Sequence, residues 1–92
     1  MAWRSDIIES TYRELKRPAL HRVTETSSFG RLQITGVEPA ENSKIQLLKD
    51  DLVTMVGTCV KVMNAGTQMK IKIVLTAEGE MGWLWPSETE KV

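Results

Sequence analysis

The clearest hydrophobic pattern in the chain is an alternation over two neighbouring segments. In Val56-Gly57-Thr58-Cys59-Val60-Lys61-Val62-Met63 the positions Val56, Thr58, Val60 and Val62 are apolar or β-branched. In Gln68-Met69-Lys70-Ile71-Lys72-Ile73-Val74-Leu75 the same holds for Met69, Ile71, Ile73 and Leu75. A period of two predicts strands, and Asn64-Ala65-Gly66-Thr67 between them predicts a turn. Folded as a hairpin on that four-residue turn, Met63 faces Gln68, Val62 faces Met69, Val60 faces Ile71, Thr58 faces Ile73 and Val56 faces Leu75. The opposite face then pairs Lys61 with Lys70 and Cys59 with Lys72. One face is apolar and the other basic. A slip of one residue sets lysines against valines, so the segregation predicts its own register.

Elsewhere the pattern changes. Ile8, Tyr12 and Leu15 recur at i, i+4 and i+7, with Ile7 and Thr11 beside them, which predicts an amphipathic helix over 6–17. Ser5 suits its N-cap, Asp6 and Glu9 its first turn, and Pro18 stops or kinks it. Ala19–Val23 predicts another turn of helix, and the polar run Thr24–Ser28 a loop, so 24–29 reads as a linker. Leu32 and Ile34 predict a strand over 30–37, and Ile45 with Leu47 a second. Met81–Trp85 is the last clear strand, ended by Pro86, with Glu88–Val92 frayed. Gly57 inside a long strand predicts a bulge or bend. The expected fold is mainly β with one N-terminal α-helix: a single domain of 1–92, with a helical segment at 1–23 and a five-stranded antiparallel small barrel at 30–92. Closing a short sheet into a barrel removes its unpaired edges.

Composition narrows the classes. A chain of 92 residues buries only about 60–65% of its unfolded surface, so its core is modest. Twelve basic and twelve acidic residues give a net charge of zero, which argues against a strongly basic nucleic-acid binder. A local basic patch remains compatible with that total, because Glu78, Glu80, Glu88 and Glu90 draw the negative charge to the C-terminal tail. The lone Cys59 forms no intramolecular disulfide, which favours a reducing compartment. Met1–Asp6 has no apolar leader core, and no run approaches the roughly 20 apolar residues of a spanning helix. The expectation is a cytoplasmic protein with no membrane segment.

Gly79-Glu80-Met81-Gly82-Trp83-Leu84, followed by Pro86-Ser87, resembles the end of a Src-homology-3-like small barrel. That family often carries Gly-x-x-Gly-Trp-aliphatic, then Pro-Ser, a short helical turn and a last strand. The resemblance covers about 44–92 and implies the barrel topology. It does not imply proline-rich peptide binding: the acidic and aromatic groove loops are absent, the only tyrosine is Tyr12, and Trp85 adds a residue before Pro-Ser. A helix before a five-stranded barrel is also similar to the Sm-like RNA-binding fold, whose paired motifs are not found here.

Candidate chemistry is sparse. Lys61, Lys70 and Lys72 share the predicted basic face, where like charges repel across the strands and an anion would relieve them. Their ordinary reading is a solvated outer face. Trp83 and Trp85 lie two apart, so they share one face of a strand and Leu84 takes the other. Exposed, they form a platform for a protein or for bases; buried, they close a small core. The methionines at 55, 63, 69 and 81 read as core or an oligomer seam. His21 and Cys59 are the sole residues of their kinds, and their spacing defines no catalytic pair and no metal site. Cys59 beside Lys72 is the weakest candidate, as a thiol of lowered pKa. The sequence therefore points first to a non-catalytic interaction module that binds a protein partner or itself through Trp83 and Trp85. Second is a weak RNA or DNA binder using Lys61, Lys70, Lys72 and the tryptophans. Third is a small enzyme subunit whose site forms on oligomerisation. No cofactor and no metal are expected.

Overall fold

The computed structural model describes residues 7–31 and 44–92. Ser5, Asp6 and most of the strand expected at 30–37 fall outside them. The described chain forms one antiparallel sheet of seven strands: β1 Ile7–Val23, β2 Ser27–Arg31, β3 Lys44–Leu47, β4 Leu52–Val62, β5 Gln68–Leu75, β6 Met81–Leu84 and β7 Thr89–Lys91. Their order across the sheet is β3-β2-β6-β5-β4-β1-β7. The chain is mainly β, and the sheet curls into a half-barrel. Two short 3-10 turns, Asn64–Gly66 and Pro86–Glu88, are its only helical pieces among the described residues.

The expected N-terminal helix is therefore corrected to strand: 7–23 is one long β1, and the linker shrinks to Thr24–Thr26. The physical reason lies in two register breaks. Between Ile8 (opposite Val60) and Arg13 (opposite Thr58), residues 9–12 stand against Cys59 alone. Between Glu14 (opposite Gly57) and Ala19 (opposite Met55), 15–18 stand against Val56 alone. Bulges of this size destroy a period of two, and what remains resembles helical spacing. They also give Pro18 a place where its missing N–H breaks no ladder bond. Ile7, Ile8, Thr11 and Tyr12 are good strand formers once a partner exists, and β4 supplies one. The segment Glu88–Val92 is likewise ordered rather than frayed. β7 pairs with the end of β1, His21 opposite Lys91 and Val23 opposite Thr89, and Thr24 N–H donates to Glu88 O at 2.8 Å.

The β4–β5 hairpin has the expected partners in a different register. Val60 faces Lys70, Cys59 faces Ile71, Thr58 faces Lys72 and Gly57 faces Ile73. Met63 N–H donates to Thr67 O and Gly66 N–H to Met63 O, so the loop closes on three residues, with Ala65 and Gly66 left-handed. Near the turn the pairing has slipped by one. Beyond a bulge at Val56, where Met55 meets Val74, it has slipped by two. Lys61 therefore does not oppose Lys70, nor Cys59 Lys72. Segregating lysine from aliphatics did not set the register because both faces of this hairpin are packed.

Two cores result. Val23, Leu47, Val53, Val74 and Leu84, from five strands, converge inside the curl. On the other face Ile7, Val56, Cys59, Ile71 and Ile73 are buried beneath Tyr12, Leu75, Met81, Trp83 and Trp85. The direction of curl is shown by Lys72 of β5. It lies on the Leu84 face and reaches Thr89 of β7, three positions along the sheet.

Candidate functional site: an aromatic corner and two separated lysine positions

β6 is short and its alternation is settled by Leu84, which is fully buried in the inner core. Trp83 consequently points to the opposite face, where it and Trp85 are half-buried. The indoles meet edge to face, centroids 5.1 Å apart and planes at 82°, the geometry that aromatic quadrupoles favour. Trp83 lies opposite Ile73 on β5 and Gly30 on β2. A Cβ at Gly30 would sit 2.4 Å from the indole Nε1, so glycine is what lets the ring lie flat on β2. The Trp83 Nε1 is buried without a hydrogen-bond partner among the described residues. Trp85 opens the 3-10 turn: its N–H donates to the Glu88 carboxylate at 2.6 Å, and Glu88 N–H donates back to Trp85 O at 2.9 Å.

The three lysines part company. Lys61 shares the aromatic face, with its ammonium 5.3 Å from the Trp83 ring centroid, within the range of cation–π attraction. Lys70 is exposed on the other face, beside Val60. Lys72 is turned inward, where Nζ donates to Thr89 O at 2.7 Å and to Thr89 Oγ1 at 3.0 Å. Loss of hydration there pushes its pKa down. The basic face thus dissolves into one aromatic-bound, one free-standing and one structural cation.

Cys59 is 1% exposed, and its thiol donates to Ile8 O at 2.9 Å. Its cross-strand neighbour is Ile71. This is the setting of a packed thiol. His21 lies in β1 rather than in a helical link. It is buried, with Nδ1 3.2 Å from Thr89 Oγ1. Thr89 Oγ1 accepts from Lys72, which leaves its own proton for a neutral imidazole nitrogen. Burial, then Lys72, then Lys91 lower the His21 pKa. The unfolded chain therefore takes up a proton near pH 6.5 that the folded chain refuses until lower pH. Stability from this site is complete above about pH 6.5 and is lost as pH falls through that value toward the folded pKa. Urea midpoints should drop from about pH 7.5 to about pH 5.5 more steeply in the wild type than in His21→Gln; equal slopes would refute the assignment.

Two contributors escaped the sequence reading. Tyr12, assigned to a helix face, lays its ring over Gly57, where a Cβ would come within 2.7 Å of it. Burial raises its phenol pKa, with Glu14 and then Cys59 adding to the effect. Arg13, which falls within the expected helix, stands opposite Thr58 in the sheet. The available signal for both was Gly57, which marks a close approach. Among the described residues no group of His, Cys, Asp and Glu is arranged to hold a metal, and no helix is long and apolar enough to cross a membrane. Comparison with known proteins gave no matching family model, no similar curated protein and no similar solved structure.

Proposed function

We propose that this chain is a non-catalytic interaction module that binds a protein partner at the corner formed by Trp83, Trp85 and Lys61, on a small barrel of the Src-homology-3-like type. The observation that carries the reading is the half-buried tryptophan pair with a lysine ammonium over one ring. Large, rigid aromatic side chains fixed by their neighbours lose little entropy on binding and dominate protein interfaces. The barrel type is favoured by the succession of the Gly-Trp-Leu strand, the Pro86–Glu88 turn and β7. The nucleic-acid alternative loses its main premise, because Lys61 lies on the face opposite Lys70 and Lys72, and Lys72 is turned inward to Thr89.

The test is capture of partners from an extract of the source cells by immobilised protein. Trp85→Ala is the informative variant, because Trp83 is committed to packing on Gly30. Loss of a hot-spot aromatic costs about 2 kcal/mol or more, so affinity for the captured protein should weaken about thirtyfold. Retention of a protein by wild type and Trp85→Ala alike would place the interface elsewhere. Capture of nucleic acid alone, released steeply by salt, would overturn the protein-binding reading in favour of the alternative.

A further inference from the structure

On the face opposite the tryptophans, the first bulge of β1 and the middle of β4 enclose a groove of about 320 Å³, lined by Ser10, Thr11, Arg13, Thr58, Cys59, Val60 and Lys70. We propose that this groove binds a single phosphate group, free or as the monoester of a small molecule.

Four observations lead there. The register places Arg13 directly across from Thr58 on one side, and Lys70 across from Val60 on the other. Two cations from different strands therefore stand beside successive same-face positions of β4, Arg13 at Thr58 and Lys70 at Val60. Neither of them is in an ion pair among the described residues, and no described carboxylate lines the groove. Ser10 and Thr58 add hydroxyl donors at its wall. Guanidinium, ammonium and hydroxyl donors together are the set that recognises tetrahedral oxyanions.

The wall is also held in place. Thr11 Oγ1 donates to Ile8 O at 2.7 Å and accepts from Val60 N–H at 3.1 Å, while the Cys59 thiol donates to the same Ile8 O at 2.9 Å. These bonds pin four looped-out residues against one residue of β4, and bulges commonly serve to re-aim side chains at sites. They give the buried thiol a role in supporting the groove rather than in reacting within it.

Size and charge select the ligand. A volume of 320 Å³ is near the lower limit of small-molecule clefts. Two flanking cations match one dianionic phosphate. A chain of zero net charge supplies no long-range attraction for a polyanion. The inference is independent of the protein-binding corner, which lies on the other face of the sheet.

The experiment is a titration followed by amide chemical shifts, with inorganic phosphate as the probe and chloride at matched ionic strength as control. Saturable shifts confined to Ser10, Thr11, Arg13, Thr58, Val60 and Lys70 are expected. Arg13→Gln and Lys70→Gln should each weaken binding about tenfold or more, the effect of removing a charged hydrogen-bond donor. Both residues are exposed, so the variants should fold normally. Lys49→Gln, which removes an exposed charge outside the groove, should change affinity less than about twofold. A nucleoside monophosphate in a second arm separates the sources: tighter binding than phosphate identifies a monoester, and equal binding free phosphate. Shifts that do not saturate, or that weaken equally in Lys49→Gln, would overturn the proposal. So would affinity that grows with oligonucleotide length and falls steeply with salt, which would assign the groove to a nucleic-acid backbone instead.

Discussion

Ile73→Ala is expected to lower the unfolding free energy by about 3–4 kcal/mol, measured by urea denaturation. Ile73 is wholly inaccessible to solvent and stands at the centre of a row that crosses four strands: Gly57, Ile73, Trp83, Gly30. Its removal opens a cavity under Tyr12 and the indoles, and a small sheet has little slack with which to fill it. A domain of this size has roughly 5–14 kcal/mol to lose, so the variant should forfeit about a quarter or more of its stability and unfold at a clearly lower urea concentration. The same loss should shift Trp83 emission to the red, because the ring packs directly on this residue. A cost below about 1 kcal/mol would mean that the outer core is not packed as described.

Gly57→Ala should cost about 2–3 kcal/mol, the range of forced overpacking. The backbone of Gly57 does not need glycine, since it is not among the residues with positive φ. What it needs is space: a Cβ there would be 2.6 Å from the Arg13 carbonyl oxygen and 2.7 Å from the Tyr12 ring. The ring can turn aside, but the carbonyl cannot move without parting β1 from β4. Gly79→Ala is the control. Gly79 has a φ of +84° and open space around it, so its cost is that of backbone strain alone, about 1 kcal/mol. If Gly57→Ala proves no worse than Gly79→Ala, β1 does not press against β4 at this point. Because Arg13 also lines the phosphate groove, Gly57→Ala should disturb that groove as well.

The two substitutions bear on how much of the molecule could be read beforehand. The strands β4, β5 and β6 were legible because long alternation, interrupted by Asn-Ala-Gly and by Pro86, leaves few other structures. β3 to β6 lie at expected positions, β2 begins inside the segment read as a linker, and Gly57 lies beside the bulge expected there. The consequence of that bulge was not legible. The extra residue puts Val56 on the face of Cys59, while closure of the turn on three residues instead of four puts Val60 on the face of Lys70. No local property of Thr58-Cys59-Val60-Lys61 reveals this, since a valine and a lysine stem are both tolerated on a half-covered sheet.

The candidate site followed the same division. The pairing of Trp83 with Trp85 on one face was fixed by their spacing of two. Which face that was depended on Leu84 finding Val74 and Val23 from other strands. The grouping of three lysines failed because it rested on the register, and the groove at Arg13 and Lys70 was invisible because it joins residues far apart in the chain. The sequence by itself determined the β character, the position of the central hairpin and the break at Gly57, all consequences of backbone propensity and short-range alternation. Only the tertiary structure decided that 7–23 is a strand, which side each lysine takes and how the sheet curls. Two bulges erase the local period in β1. A strand's hydrogen-bond partners lie on other segments, so its identity and register are settled by pairing rather than by its own residues.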